Sequence, residues 1–167
     1  MKPISRIYLD TNIFITLIEK SDVTQRLLVD LLTKQPLGER PLFATSELTL
    51  SELLVKPYRQ KDEMLMMQYD SLILSNEWLD VRSVDRGVLY YASVLRAQHN
   101  HLKLPDAIHL SSAIGQGCSH LLTNDLGIKD QYIVDHERHG VHGGPVSVSV
   151  IRPDEFTLTS LIESLPA

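Results

Sequence analysis

Four acids with the chemistry of hard-metal ligands stand far apart in the chain: Asp10, Glu52, Asp106 and Asp125. Asp10 closes a strand-like run, Ile7-Tyr8-Leu9-Asp10, and is followed at once by Thr11-Asn12. A carboxylate placed where a buried strand gives way to a helix is costly unless a counter-charge or hydrogen bonds offset it. Glu52 lies in TLSELL, Asp106 in LPDAIHL and Asp125 in LLTND. Their spacing is too long and too uneven for a local metal-binding loop, so any common site must be assembled by the fold. Mg²⁺ and Mn²⁺ take hard oxygen ligands and keep several waters. Three or four carboxylates could hold one or two such ions, and a pair about 3.5–4 Å apart activates a water and stabilises a leaving oxygen, as phosphodiester cleavage requires. Each acid also has a simpler reading. Asp10 could be a helix cap, Glu52 a solvated helix residue with Glu47 as its rival, Asp106 a helix N-terminal acid and Asp125 a turn former before Gly127. Taken together in one order, the four favour the metal reading.

The elements that must position them can be read from periodicity. Residues 4–10 suit a buried strand, and 12–20 a helix with Asn12 as N-cap. Residues 24–35 repeat apolar positions at helical spacing until Pro36 and Gly38. A second strand over 41–45 leads to Ser46, which caps a helix over 47–56 that stops before Pro57. A helix over 60–75 and a strand over 78–82 follow. Residues 85–99 suit a helix capped by Asp85 or Ser83. Pro105 opens a helix through Gln116, and Gly117 ends it. Residues 119–123 form a fourth strand. Residues 130–145, with three His and three Gly, read as a loop insertion, and 146–151 as a fifth, edge-like strand before a last helix. Strands that alternate with helices predict an α/β fold: a three-layer α/β/α sandwich around a central parallel sheet of about five strands. Such sheets place their sites beyond the carboxyl ends of the strands, where Asp10 and Asp125 fall.

Composition narrows the class. The chain has 167 residues, 43% of them hydrophobic and 22% charged, as expected of one globular domain over 1–167. A formal net charge of −5 argues against a general nucleic-acid coater, yet metal ions reverse the local sign of an acidic cleft. No apolar run approaches a membrane span, and MKPISRIYLD lacks the core of a signal peptide, so a cytoplasmic protein is expected. The single Cys118 excludes an internal disulfide framework and reads as a small core residue.

LDTNIF, TLSELLVKP, LPDAIHLSSAI and LLTND, in that order, resemble the PIN domain family, in particular its VapC-like toxin ribonucleases. The resemblance covers roughly residues 4–156. It implies that Asp10, Glu52, Asp106 and Asp125 coordinate Mg²⁺ or Mn²⁺ and support cleavage of single-stranded RNA. It further implies that Thr11, Asn12 and Thr123 orient carboxylates or waters. A cognate antitoxin and a homodimer are implied as partners. The 130–145 segment departs from compact members.

Other residues admit competing readings. His136, His139 and His142 recur every third position, a zinc-like pattern that the neighbouring glycines make a mobile loop instead. His109, three residues after Asp106 on one helix face, reads first as a packed core-edge histidine, and otherwise as a substrate contact or an indirect partner of the site. Lys56, Arg59 and Lys61 could contact phosphates or simply be solvated. An aspartyl-phosphate phosphatase would use Asp10 as acceptor, but it wants an acid where Asn12 stands. A catalytically silent interaction module is the remaining alternative.

Overall fold

Short apolar runs build the middle of the sheet. In the computed structural model, which describes residues 4–36 and 38–165, Ile7–Leu9 forms β1, Phe43–Ser46 β2, Leu79–Arg82 β3 and His120–Leu122 β4. Every residue of β1, β2 and β4 is buried, as strands covered on both faces must be. Gln131–Arg138 forms β5 and Val141–Ile151 β6. The spatial order is β3-β2-β1-β4-β6-β5, parallel throughout except for β5 against β6. Alternation along the strands divides the core. Tyr8, Ala44 and Leu121 face one side; Ile7, Leu9, Phe43 and Leu122 face the other.

Among the described residues, seven helices cover the two faces: α1 Thr11–Glu19, α2 Val23–Thr33, α3 Glu47–Gln60, α4 Glu63–Leu72, α5 Arg86–Gln98, α6 Leu104–Gly115 and α7 Glu155–Ser164. Helices α5 and α6 pack on the Tyr8 side, and α1, α2, α4 and α7 on the other. The α/β layering expected from sequence is therefore present, with six strands among the described residues where about five were expected. Among the described residues, no helix is long and apolar enough to cross a membrane.

Several boundaries differ from the sequence expectation. Asp10, not Asn12, caps α1 by accepting from Thr11 N at 2.7 Å. Helix α3 runs through Pro57 to Gln60, because Leu53 and Pro57 are buried one turn apart on its inner face and outweigh the lost backbone bond. Lys61, in the left-handed region, and Asp62, a side-chain cap, then separate α3 from α4, so the second helix starts at Glu63 rather than residue 60. Asp85, not Ser83, caps α5.

The largest difference lies at residues 130–145, which form a β-hairpin instead of a loop. His139 and Gly140 both have positive φ, 52° and 73°, the pair that a two-residue turn between twisted strands demands. Gly144 sits where a Cβ would come within 2.4 Å of Val134 O, so only glycine lets the two backbones approach there, beside a register shift between Val134 and His136. The outcome moves 146–151 from the edge to the interior of the sheet, and β5 becomes the edge.

At the amino end of the sheet Arg6 is buried and fully used. It donates to Pro41 O at 3.0 Å, Gln116 O at 2.8 Å and Asp80 Oδ2 at 3.0 Å. Burial raises the Asp80 pKa, but Arg82 and Arg6 outweigh it and hold the carboxyl below its ordinary value. A depressed folded-state pKa stabilises the protein above the unfolded value, about 3.9, and that contribution fades as pH falls through the folded value. Asp80→Asn leaves the Arg6 charge without its counter-ion. We expect it to cost about 3 kcal/mol at neutral pH, read as a lower urea midpoint, and the gap to wild type to close in acid.

Candidate metal centre

Strand β1 delivers Asp10 to the carboxyl edge of the sheet, beside the end of its neighbour β4. Asp10 is 6% exposed, and local polar groups offset the cost of burying it. Asn12 Nδ2 donates to Asp10 Oδ2 at 2.7 Å and Thr123 Oγ1 donates to the same oxygen at 2.5 Å. Asn12 Nδ2 also reaches Thr123 Oγ1 at 2.9 Å, and Asn12 Oδ1 accepts from Asn124 N at 2.9 Å. The Asp-Thr-Asn run that ends β1 and the Thr-Asn-Asp run that ends β4 are thus laced together. One oxygen of Asp10 is spent in that lacing. The other, Oδ1, accepts from Thr11 N and faces His109 Nε2 at 3.4 Å.

Glu52 comes from the second turn of α3, while Glu47 is exposed in its first turn. Glu52 Oε2 accepts from Thr11 Oγ1 and from His109 Nε2, the latter at 2.9 Å. Burial works to raise its pKa, but the bonds from His109 and Thr11 prevail and hold it below the ordinary range.

His109 is 2% exposed and is the member that sequence reasoning undervalued. Its Nδ1 lies 2.9 Å from the Tyr8 hydroxyl, which lies 2.8 Å from Ser46 Oγ. As an imidazolium, His109 donates through Nδ1 to Tyr8 and through Nε2 to Glu52, and Tyr8 passes its own proton toward Ser46. Burial opposes that charge, but Tyr8 and the Glu52 and Asp10 carboxylates outweigh it and push His109 up to about 10. The sequence signal was its place three residues after Asp106, on the face that helical spacing turns toward the sheet.

Asp10, Glu52 and His109 each offer a ligand atom, and the three atoms lie within 4.8 Å of one another. The cluster is consistent with a metal site, with the two carboxylates as its hard oxygen donors; His109 could join them only by giving up the Nε2 proton that it donates to Glu52. Tyr8 fixes the ring so that Nε2 points at the carboxylates, the kind of outer support that metal-binding histidines use.

Asp106 and Asp125 are not within that tight group. Asp106 is half-buried in the first turn of α6, and Asp125 is exposed in the loop after β4. Both still belong to the same field. Burial raises the Asp106 pKa, and the charges of Asp125 and Asp10 raise it further. The Asp125 loop is held from below: Arg152 donates to Thr123 O at 3.2 Å, Asp125 O at 2.6 Å and Ile128 O. Asp125 N donates to Thr123 Oγ1 at 2.9 Å.

The remaining candidates fall outside the cleft. Lys56 pairs with Glu19, which also accepts from Tyr69 at 2.7 Å. Arg59 and Lys61 are exposed. The hairpin histidines form no metal-sized group among the described residues. Cys118 is buried, and burial pushes its thiol up to about 12, as befits a core residue.

The PIN domain family profile matches residues 7–133. The chain belongs to the PIN domain family. Solved structures similar to this PIN-domain protein include a toxin–antitoxin complex from Klebsiella pneumoniae, 26% identical, with a TM-score of 0.52 over 72% of this chain and 87% of that one. VapBC2 from Rickettsia felis, bound to a DNA fragment from its promoter, is 22% identical with a TM-score of 0.55, over 72% and 87%. Mycobacterium tuberculosis VapC20, described as a toxin that cleaves the sarcin–ricin loop, is 19% identical with a TM-score of 0.56, over 69% and 86%. The last two likenesses bear on fold alone. No curated protein matches the chain.

Proposed function

We propose that this PIN-domain protein is a Mg²⁺- or Mn²⁺-dependent endoribonuclease that cleaves single-stranded RNA, and that it acts as the toxin of a toxin–antitoxin pair. The observation that carries the reading is the convergence of Asp10, Glu52 and His109 within 4.8 Å in a chain of this family. Asp10, Glu52, Asp106 and Asp125 would hold the ion, and His109, the counter-charge of Asp10 and Glu52 in the metal-free site, would cede that part to it. When bound, the ion supplies an activated water and charge stabilisation for phosphodiester hydrolysis.

The chain's own residues do the rest. Asn12 and Thr123 fix the plane of the Asp10 carboxylate. Thr11 places Glu52, and Tyr8 orients the ring of His109. Asp106, half-buried in the first turn of α6, would add a carboxylate from the helix side of the cleft. The toxin role draws on the Klebsiella complex, and a small antitoxin and a second copy of the chain would be its partners.

The reading is tested by incubating the purified protein with single-stranded RNA in Mg²⁺, in Mn²⁺ and in EDTA. Cleavage in either metal, abolished by EDTA and restored by excess metal, is the expected outcome. Intact RNA in all three would overturn the assignment in favour of a silent interaction module.

A further inference from the structure

The hairpin that sequence reading mistook for a loop lies largely beyond the family match, which ends at residue 133. It packs along α5, and its seam with that helix carries a succession of rings. Nearest the cleft, the buried Tyr132 ring stands 4.9 Å from His99, and its hydroxyl lies 3.4 Å from the exposed His101. The same hydroxyl accepts from Lys129 N at 3.0 Å, so it touches the loop that starts at Asp125. Further along, Gln98 Nε2 donates to Asp135 O at 2.6 Å and ties helix to strand. Next, His136 lies edge-on to Tyr91 at 5.2 Å, and Tyr90 adjoins both rings at 5.8 and 6.0 Å. The Arg138 guanidinium sits 5.0 Å over the Tyr90 ring.

These groups are seated, not loose. A Cβ at Gly143 would come within 2.9 Å of His136 Cε1, so the missing side chain lets the imidazole lie flat on the hairpin backbone. Tyr91 is 36% exposed, and Arg138 is exposed beyond it. Asp135 is paired with His142 at 2.8 Å, and Glu137 alternates to the other side of the strand from His136 and Arg138. Tyr132 is buried and the partly covered Tyr90 and His136 serve as backing; Tyr91 offers the exposed ring on which a base can stack, and Arg138 the cation that a phosphate can meet.

We propose that the α5–β5 seam is a binding track for single-stranded RNA leading away from the cleft, with Tyr91 as a stacking platform and Arg138 as a phosphate contact. The proposal rests on the ribonuclease reading for its choice of strand. Strand β5 spans eight residues, roughly 26 Å, so the track serves several nucleotides, and a dinucleotide would not reach its far end.

The test measures anisotropy of a fluorescein-labelled single-stranded RNA 12-mer with the full chain in EDTA, where cleavage is off. Tyr91→Leu is expected to weaken binding roughly tenfold, and Tyr91→Phe to keep it, since stacking needs only the ring. Arg138→Ala is expected to lower the slope of log affinity against log salt by about one. Failure of wild type to bind the 12-mer, or wild-type affinity in both Tyr91→Leu and Arg138→Ala, overturns the track. The two readings separate cleanly. Metal-dependent cleavage with unchanged variants leaves the enzyme and removes the track; ring-dependent binding without cleavage does the reverse.

Discussion

Asp10→Asn is expected to lower metal-dependent RNA cleavage by about 10²- to 10³-fold, the kinetic equivalent of losing several kcal/mol of charge stabilisation at the reacting phosphate. The variant should also lose about 1–3 kcal/mol of stability, for a reason specific to this site. Asp10 accepts from Thr11 N on one oxygen and from Asn12 and Thr123 on the other. An amide has one acceptor and one donor end, so either orientation sets an NH₂ against a group that is already donating. Thermal unfolding beside the cleavage assay separates the two effects. Cleavage within threefold of wild type, under conditions where the variant is folded, would mean that Asp10 does not hold the ion.

The second large effect is expected from His109→Ala. The side chain is enclosed, bonded to Glu52 on one nitrogen and to Tyr8 on the other. Truncation leaves a carboxylate and a hydroxyl facing a void, with the positive partner of Asp10 and Glu52 removed. A loss of about 3–5 kcal/mol in metal-free buffer follows from breaking a buried charge pair, or roughly 10 °C in Tm for a chain of this size. Added Mn²⁺ should restore part of it, because an ion between the two remaining carboxylates supplies the missing charge. Equal Tm values for wild type and variant in EDTA would refute this account of His109.

The framework of the site could be read in the sequence because its parts are local. A strand-end Asp followed by Thr-Asn, and a strand ending in Thr-Asn-Asp, announce themselves as short motifs, and the structure laces these two together. The third partner did not announce itself. His109 looked like a packed histidine because a single chain cannot show that Tyr8, a hundred residues earlier, turns its hydroxyl onto the ring. The tight group brings His109 to Asp10 and Glu52, while Asp106 and Asp125 lie outside it and act on it through their charge. The hairpin was missed for a related reason. Glycine and histidine at 139–144 suggest disorder by composition, yet His139-Gly140 is also a two-residue turn, and Gly144 is required by the approach of Val134. Turn chemistry and loop composition use the same residues, and only the pairing partner distinguishes them. Helix α3 ran past Pro57 because burial of Leu53 and Pro57 outweighs a local backbone penalty that sequence rules treat as a stop.

Arg152 has a consequence for how order is distributed in the molecule. One guanidinium, seated between the last strand and α7, holds the carbonyls of Thr123, Asp125 and Ile128. The entropy lost in fixing the Asp125 loop is therefore met when the carboxy-terminal strand and helix dock, well before any ion or substrate arrives. The outermost acid of the cleft is pre-set by a part of the chain that contributes no ligand of its own. Cleft geometry and docking of the final helix should accordingly rise and fall together, as one thermodynamic unit.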